Sequence, residues 1–195
     1  VVSDEIHNDF VYPGYEHTVF ANVDPRFAEF TLTCTAPSKT FNLAGLQISN
    51  IFIPNENLRK AFKTEIDRTG YDEPNALGVV ACEAAYRAGE DWLEQLRAYL
   101  LKNLNFLRDF LQEKIPQIHL VEPEGTYLVW LDCSELGITG KELDQFIVDK
   151  AGLWLDGGSM FGPSGAAFQR VNIACPRATL QLALDKLKTA IDGLK

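Results

Sequence analysis

The stretch "APSKTFNLAG" (Ala36–Gly45) decides how the chain is read. Lys39 is the only lysine before Lys60, and it follows a Pro-Ser turn signal. The surrounding run, "TLTCTAPSKTFNLAGLQISNIFIP" (Thr31–Pro54), is almost free of charge. A lysine is ordinarily a solvated surface residue. An amine among apolar neighbours can instead lose its proton, and a neutral amine is a nucleophile. Lys39 is therefore a candidate Schiff-base lysine.

Outward from Lys39, Val1–Asp4, Thr31–Ala36 and Leu46–Ile53 read as short, continuously apolar strands. Such runs suit a mostly parallel sheet covered on both faces. Asn57–Arg68 follows as a helix, the segment around Gly70–Gly78 as a Gly/Pro-bounded loop, and "VVACEAAYRAG" resumes helix. Trp92, Leu93, Leu96, Leu100, Leu104, Leu107 and Leu111 recur at helical steps and predict a long helix from Asp91 to Lys114, with its apolar stripe in the core. It stops before Pro116, because proline cannot continue the hydrogen-bond ladder.

Beyond that point the elements shorten. His119–Glu122, Thr126–Asp132, Leu153–Asp156 and Arg170–Ala174 read as strands, and Gly140–Lys150 and Arg177–Leu194 as helices. The predicted class is α/β, with residues 1–75 as part of a large domain, 76–114 as connecting helices, and 115–195 as a small α+β domain. Val1 and Val2 read as the inside of a buried strand, so the chain is expected to be a piece of a longer protein.

Composition narrows the function. Hydrophobic residues make up 46% and charged residues 23% of 195 residues, enough to fill a core. The formal net charge is −9 with no basic run, which argues against nucleic acid or an anionic membrane surface as partner. No apolar stretch is long enough to span a bilayer. Cys34, Cys82, Cys133 and Cys175 are widely spaced and form no C-x-x-C pair, so neither a metal site nor a disulfide framework is expected, and a reducing, cytoplasmic compartment fits.

"SDEIH" (Ser3–His7) places an acid and a histidine at the end of the first strand. Ligands of open α/β sheets gather at the carboxyl ends of strands. Asp4, His7 and Lys39 are thus predicted to share one edge of one sheet.

"SDEIH" followed by "APSKTFNLAGLQ" resembles the pyridoxal-phosphate (PLP) enzymes of fold type I, aminotransferase class I/II. Within them it is similar to the cystathionine β-lyase and cystalysin subgroup, the MalY/PatB type. "EPEGTYLVWLDCS" (Glu122–Ser134) and "RVNIACPR" (Arg170–Arg177) match further motifs in order, so the likeness covers essentially the whole chain, but only the C-terminal half of such an enzyme. The resemblance implies a carbon–sulfur β-lyase that releases thiol, pyruvate and ammonia from cystathionine or another cysteine S-conjugate. The alternatives are an aminotransferase using the same residues and a regulatory protein-binding role.

The resemblance also implies roles. Lys39 would carry PLP and act as general base, Asp4 would hold the pyridine nitrogen protonated, His7 would face the phenolic oxygen, and Ser38 would donate to the phosphate. Arg170 would clamp the substrate α-carboxylate, with Arg177 a second candidate. The position eight residues after Lys39, an arginine in many aminotransferases, is Gln47. That departure favours the lyase subgroup. Glu124-Gly125 reads as a turn, Gly157-Gly158 as a mobile loop beside the site, and "YDEPN" (residues 71–75) as a candidate contact with a neighbouring subunit's cofactor in a homodimer. The 195-residue chain alone is expected to be catalytically inert.

Overall fold

The computed structural model describes residues 1–71 and 73–194. The chain divides into two compact units, Val1–Leu96 and Arg97–Lys195.

The first unit is built on a three-stranded sheet ordered β1-β2-β3, with β1 at Val2–Asp4, β2 at Leu32–Thr35 and β3 at Asn50–Phe52. Two single-turn helices, α1 (Phe20–Val23) and α2 (Pro37–Thr40), lie in the connections, and α3 (Glu56–Thr69) and α4 (Ala76–Ala88) follow the sheet. β1 and β2 are parallel, with Asp4 opposite Cys34. β3 is antiparallel to β2, contrary to the parallel expectation, with Thr35 opposite Asn50. The reason lies in the connection. After α2 the chain turns through a 3₁₀ segment at Ala44–Leu46, and Asn42 and Gln47 both adopt left-handed backbone, at φ 56° and 50°. These turns send the chain straight back, whereas a parallel return needs a crossover. They also take up Leu46 and Gln47, and only Asn50–Phe52 of the predicted strand Leu46–Ile53 pairs.

The sheet is not covered on both faces. Val2 is 70% and Phe52 58% exposed, and Val1 and Ile51 are also open to solvent, so within this chain an edge and part of a face of the sheet lie uncovered. Thr31, Thr33, Ala36 and Ile53 are the buried residues around the sheet. α3 begins where the Asn55 side chain accepts from Leu58 N at 3.0 Å and ends at left-handed Gly70, an N-cap and a C-cap of the ordinary kinds. Asn75 caps α4 in the same way through Leu77 N.

A 25-residue helix, α5 (Glu90–Lys114), runs through the division between the units. From Leu100 onward its leucine stripe is buried, as the spacing predicts, through Leu104, Leu107 and Leu111. Trp92 differs: it is 47% exposed and lies against the Phe41 ring at 5.8 Å, not in a core.

The second unit holds a wholly antiparallel sheet ordered β4-β5-β7-β6, comprising β4 (His119–Val121), β5 (Leu128–Asp132), β6 (Asp156–Gly157) and β7 (Phe168–Asn172). Helices α6 (Lys141–Asp149) and α7 (Arg177–Asp192) complete it. Val129, Leu131, Leu143, Ile147, Ile173, Leu180, Leu184 and Leu187 form its core. β5 starts at Leu128 and not at Thr126, because Thr126 sits at φ 62°, outside strand geometry. β6 is shorter than the predicted Leu153–Asp156, and Trp154 is 90% exposed. All four cysteines are free thiols. Burial pushes the Cys133 thiol up to about 12, with the neighbouring Asp132 charge adding to the effect, which makes it a core residue and not a reactive one.

Candidate functional site

Two segments leave the carboxyl ends of the parallel pair, and they carry four of the predicted site residues. Asp4 is the last residue of β1, exposed, with Oδ1 accepting from Ile6 N at 3.3 Å. Among the described residues its Oδ2 has no hydrogen bond. His7 follows, half-buried, with its ring 6.2 Å from that of Phe10. On the neighbouring strand, extended Ala36 passes directly into α2 through Pro37, whose missing N–H costs nothing at a helix start. Ser38 and Lys39 then lie on this single turn, and Phe41 N donates to Pro37 O at 2.8 Å to close it. Neither the Ser38 hydroxyl nor the Lys39 amine has a partner among the described residues.

Lys39 is exposed. The apolar residues that flank it in sequence do not enclose its ammonium group. Phe41 turns instead toward Tyr86 and Trp92, at 5.7 and 5.8 Å between ring centroids. The desolvation expected from the sequence is therefore not met by this geometry. What holds is the placement at a strand end, one strand over from Asp4.

Two carboxylates that the sequence motifs do not single out hold these segments in place. Glu5, next to Asp4, is only 5% exposed. It accepts from Ser3 Oγ at 2.9 Å, His17 Nε2 at 2.9 Å and Phe20 N at 3.0 Å. Burial alone would raise its pKa, but the bonds from His17, Phe20 and Ser3 prevail and hold the carboxyl below its ordinary 4.5. Glu5 thus ties the end of β1 to α1 and closes the loop that carries His7. Asp9 Oδ2 accepts from the Thr40 hydroxyl at 2.7 Å, and Thr40 is fully buried beside Lys39. The loop from β1 and the turn after β2 are thereby joined side chain to side chain. The signal in the sequence is present but local: both acids fall within "DEIHND" (Asp4–Asp9), where only Asp4 and His7 stand out.

In the second unit the two predicted arginines are held differently. Arg170, on β7, lies opposite Asp156 of β6 and Trp130 of β5. Its Nε and Nη2 both donate to Asp156 Oδ2, at 3.1 and 2.8 Å, and its guanidinium lies 4.6 Å from the centre of the Phe161 ring. Arg177, at the start of α7, is committed to its own unit. Its Nε donates to Asn103 Oδ1 at 3.0 Å and its Nη2 to Lys102 O at 2.6 Å, while Phe106 stacks at 4.3 Å. Its backbone N–H donates to the Tyr99 hydroxyl at 2.7 Å. These contacts account for Arg177 as a clasp between α7 and α5.

Asn103 is the hub of that clasp. It is fully buried, and its Nδ2 donates to Ile173 O and Cys175 O at 2.8 and 2.9 Å. Gly157 ends β6 and Gly158 opens a 3₁₀ turn. Gly157 pairs with Gln169 in the sheet, and a Cβ at Gly158 would lie 2.1 Å from Gly165 O. The glycines permit backbones to touch. Glu124 is exposed ahead of the left-handed Thr126. In "YDEPN", Asp72 lies outside the described residues, Tyr71 is 81% exposed and Asn75 serves as the α4 cap. Gln47 is exposed on its left-handed backbone. Among the described residues there is no cluster able to hold a metal ion and no helix long and apolar enough to cross a membrane.

An acid, an imidazole, a hydroxyl and a primary amine thus lie at one edge of the sheet of an α/β protein, all at least partly open to solvent and chemically able to hold a small ligand. Residues 1–187 match the aminotransferase class I and II family, and the chain belongs to that family. Over 191 residues it is 44% identical to cystathionine β-lyase PatB of Bacillus subtilis, a match covering 98% of this chain and 49% of PatB. Its fold superposes on cystalysin from Treponema denticola, whose crystal structure contains pyridoxal 5'-phosphate, with a TM-score of 0.96 and 41% identity over 100% of this chain and 49% of that one. It likewise superposes on the PLP-bound C–S lyase from Staphylococcus hominis, with a TM-score of 0.89 and 38% identity over 97% of this chain and 48% of that one. The chain spans about half the length of the curated relatives it matches. The α/β fold expected from the sequence is therefore that of PLP-dependent fold type I enzymes.

The donor set fits PLP. That cofactor presents a ring nitrogen, a phenolic oxygen, a phosphate and an aldehyde, which call for a carboxylate, a polar donor, a hydroxyl and an amine. Asp4, His7, Ser38 and Lys39 supply those groups at the carboxyl ends of two adjacent strands.

Proposed function

We propose that the protein containing this chain is a PLP-dependent carbon–sulfur β-lyase acting on cysteine S-conjugates such as cystathionine. The observation that carries the proposal is the exposed Lys39 amine on the turn immediately after β2, one strand over from the Asp4 carboxylate. PLP, when bound, supplies the electron sink that lets an amino acid lose its Cα proton. Lys39 would hold the cofactor through Nζ, and the same Nζ would serve as the general base for that proton. Asp4 keeps a proton on the cofactor's ring nitrogen. His7 donates toward the phenolic oxygen and Ser38 toward the phosphate. Arg170 binds the α-carboxylate with its planar fork. The products expected of such a lyase are a thiol, pyruvate and ammonia.

In this reading residues 1–75 belong to the cofactor-binding domain, 76–114 to connecting helices and 115–195 to the small domain. A homodimer and a cytoplasmic location belong to the same reading, and the four free thiols support the latter. The test uses the full-length protein. Borohydride reduction followed by peptide mapping is expected to place the cofactor on Lys39. Cystathionine is expected to yield pyruvate without an added keto acid, and Lys39→Ala to abolish both results. An adduct on another lysine, or turnover only when a keto acid is supplied, refutes the assignment; the second outcome identifies an aminotransferase.

A further inference from the structure

The environment of Arg170 is lopsided. Nε and Nη2 both donate to a single oxygen, Asp156 Oδ2. The two residues face one another across the β6–β7 ladder, so the sheet sets their separation. Phe161 covers one face of the guanidinium, and the Trp130 ring braces Phe161 edge-on at 5.0 Å. A carboxylate on the side edge and a ring on the face together fix the plane of the fork. Nη1 has no hydrogen bond among the described residues, although the side chain is only 26% exposed.

We propose that Asp156 is a positioning residue for substrate binding. By occupying the side edge of Arg170, it presents the end edge, Nη1 with the second hydrogen of Nη2, to the α-carboxylate of the amino acid. The proposal rests on the reading of Arg170 as the carboxylate clamp. An arginine pairs with a carboxylate through either of two parallel-donor edges. Asp156 closes one and leaves one. A long side chain held in its binding geometry beforehand loses less freedom when ligand arrives. Asp156 also carries a negative charge that opposes an incoming carboxylate. It is 43% exposed, so solvent weakens that opposition. Asparagine separates the two effects, because it keeps an acceptor oxygen for the fork and removes the charge.

The experiment measures binding of L-alanine and of L-alaninamide by calorimetry to the full-length, cofactor-loaded protein. Alaninamide lacks the carboxylate and reports everything except the clamp. L-alanine is expected to bind about fivefold more weakly to Asp156→Ala than to Asp156→Asn, the size of effect that follows from freeing one long side chain. Alaninamide is expected to bind the two variants alike, within about twofold. Equal alanine affinity in the two variants, or an equal loss for alaninamide, overturns the proposal. A structural role alone would lower both ligands together. Arg170→Lys tests the underlying reading separately. If it leaves the preference for alanine over alaninamide intact, the clamp lies elsewhere and the role of Asp156 falls with it.

Discussion

Replacing Asn103 with leucine should destabilise the protein far more than its conservative volume suggests. The side chain is fully buried and makes three hydrogen bonds: it donates to Ile173 O at 2.8 Å and Cys175 O at 2.9 Å, and accepts from Arg177 Nε at 3.0 Å. Leucine fills the space but leaves both carbonyls and one guanidinium N–H without their partner. Each buried polar group left unsatisfied costs about 1–3 kcal/mol. Arg177 retains Lys102 O and the Phe106 ring, so its share falls at the low end. The extra apolar burial of leucine offsets some of the loss. The expected net cost is about 3 kcal/mol, a large fraction of the roughly 5–15 kcal/mol that holds a domain folded. Asn103→Asp provides the control. It keeps an acceptor for Arg177 and loses both donors, so it should cost nearly as much if the two carbonyls dominate. Urea unfolding of the full-length protein, followed by tryptophan fluorescence, gives the midpoints. A leucine variant within about 0.5 kcal/mol of the wild type would show that these bonds contribute little beyond what water gives the unfolded chain.

Glu5→Gln is expected to weaken the protein at neutral pH by loosening the bonds to His17, Phe20 N and Ser3. The folded pKa of Glu5 lies below its ordinary 4.5, so its contribution is present above that value and lost as the pH falls through the folded pKa. The gap in denaturation midpoint between wild type and Glu5→Gln should therefore narrow below pH 4.5, and a gap independent of pH would contradict it. Gly158→Ala places a Cβ where Gly165 O stands and must push the backbones of these segments apart; a loss of about 1–3 kcal/mol is expected, and an unchanged thermal midpoint would show that the contact is slack.

The helices are the most legible elements of the sequence. The leucine stripe predicts Asp91–Lys114 and the structure has Glu90–Lys114; the Leu58–Phe62–Ile66 spacing predicts Asn57–Arg68 and the structure has Glu56–Thr69. A repeating step along one face leaves its mark in every turn. Strand direction leaves no such mark. β3 reads as one more apolar run, and its reversal depends on the left-handed turns at Asn42 and Gln47, neither of which is a glycine. At the candidate site, the placement of Asp4 and Lys39 at adjacent strand ends can be read from motif order. The groups that hold them cannot, because Glu5 meets Phe20 and Asp9 meets Thr40 only after the chain has folded back. In "RVNIACPR" the resemblance puts Arg170 ahead of Arg177, but nothing in the motif shows what holds either. Asp156 beside one and Asn103 beside the other tell them apart, and both partners are remote in sequence. Asn103 does carry a faint signal: an amide lies on the buried side of a helix otherwise lined with leucine.

The two carboxylate ties at the end of β1 have a consequence for how the chain tolerates being cut. Pro13–Glu16 is exposed at every residue and lies inside the loop that Glu5 closes through His17 and Phe20. A protease that nicks the backbone there leaves the segment ahead of the cut in place. It remains held by the β1–β2 ladder, by Glu5 gripping His17 and Phe20 on the far side of the cut, and by Asp9 gripping Thr40. The same stretch is accordingly where a foreign sequence or an affinity tag could be inserted, or the gene split into two separately expressed pieces, with Asp4 and Lys39 still delivered to adjacent strand ends.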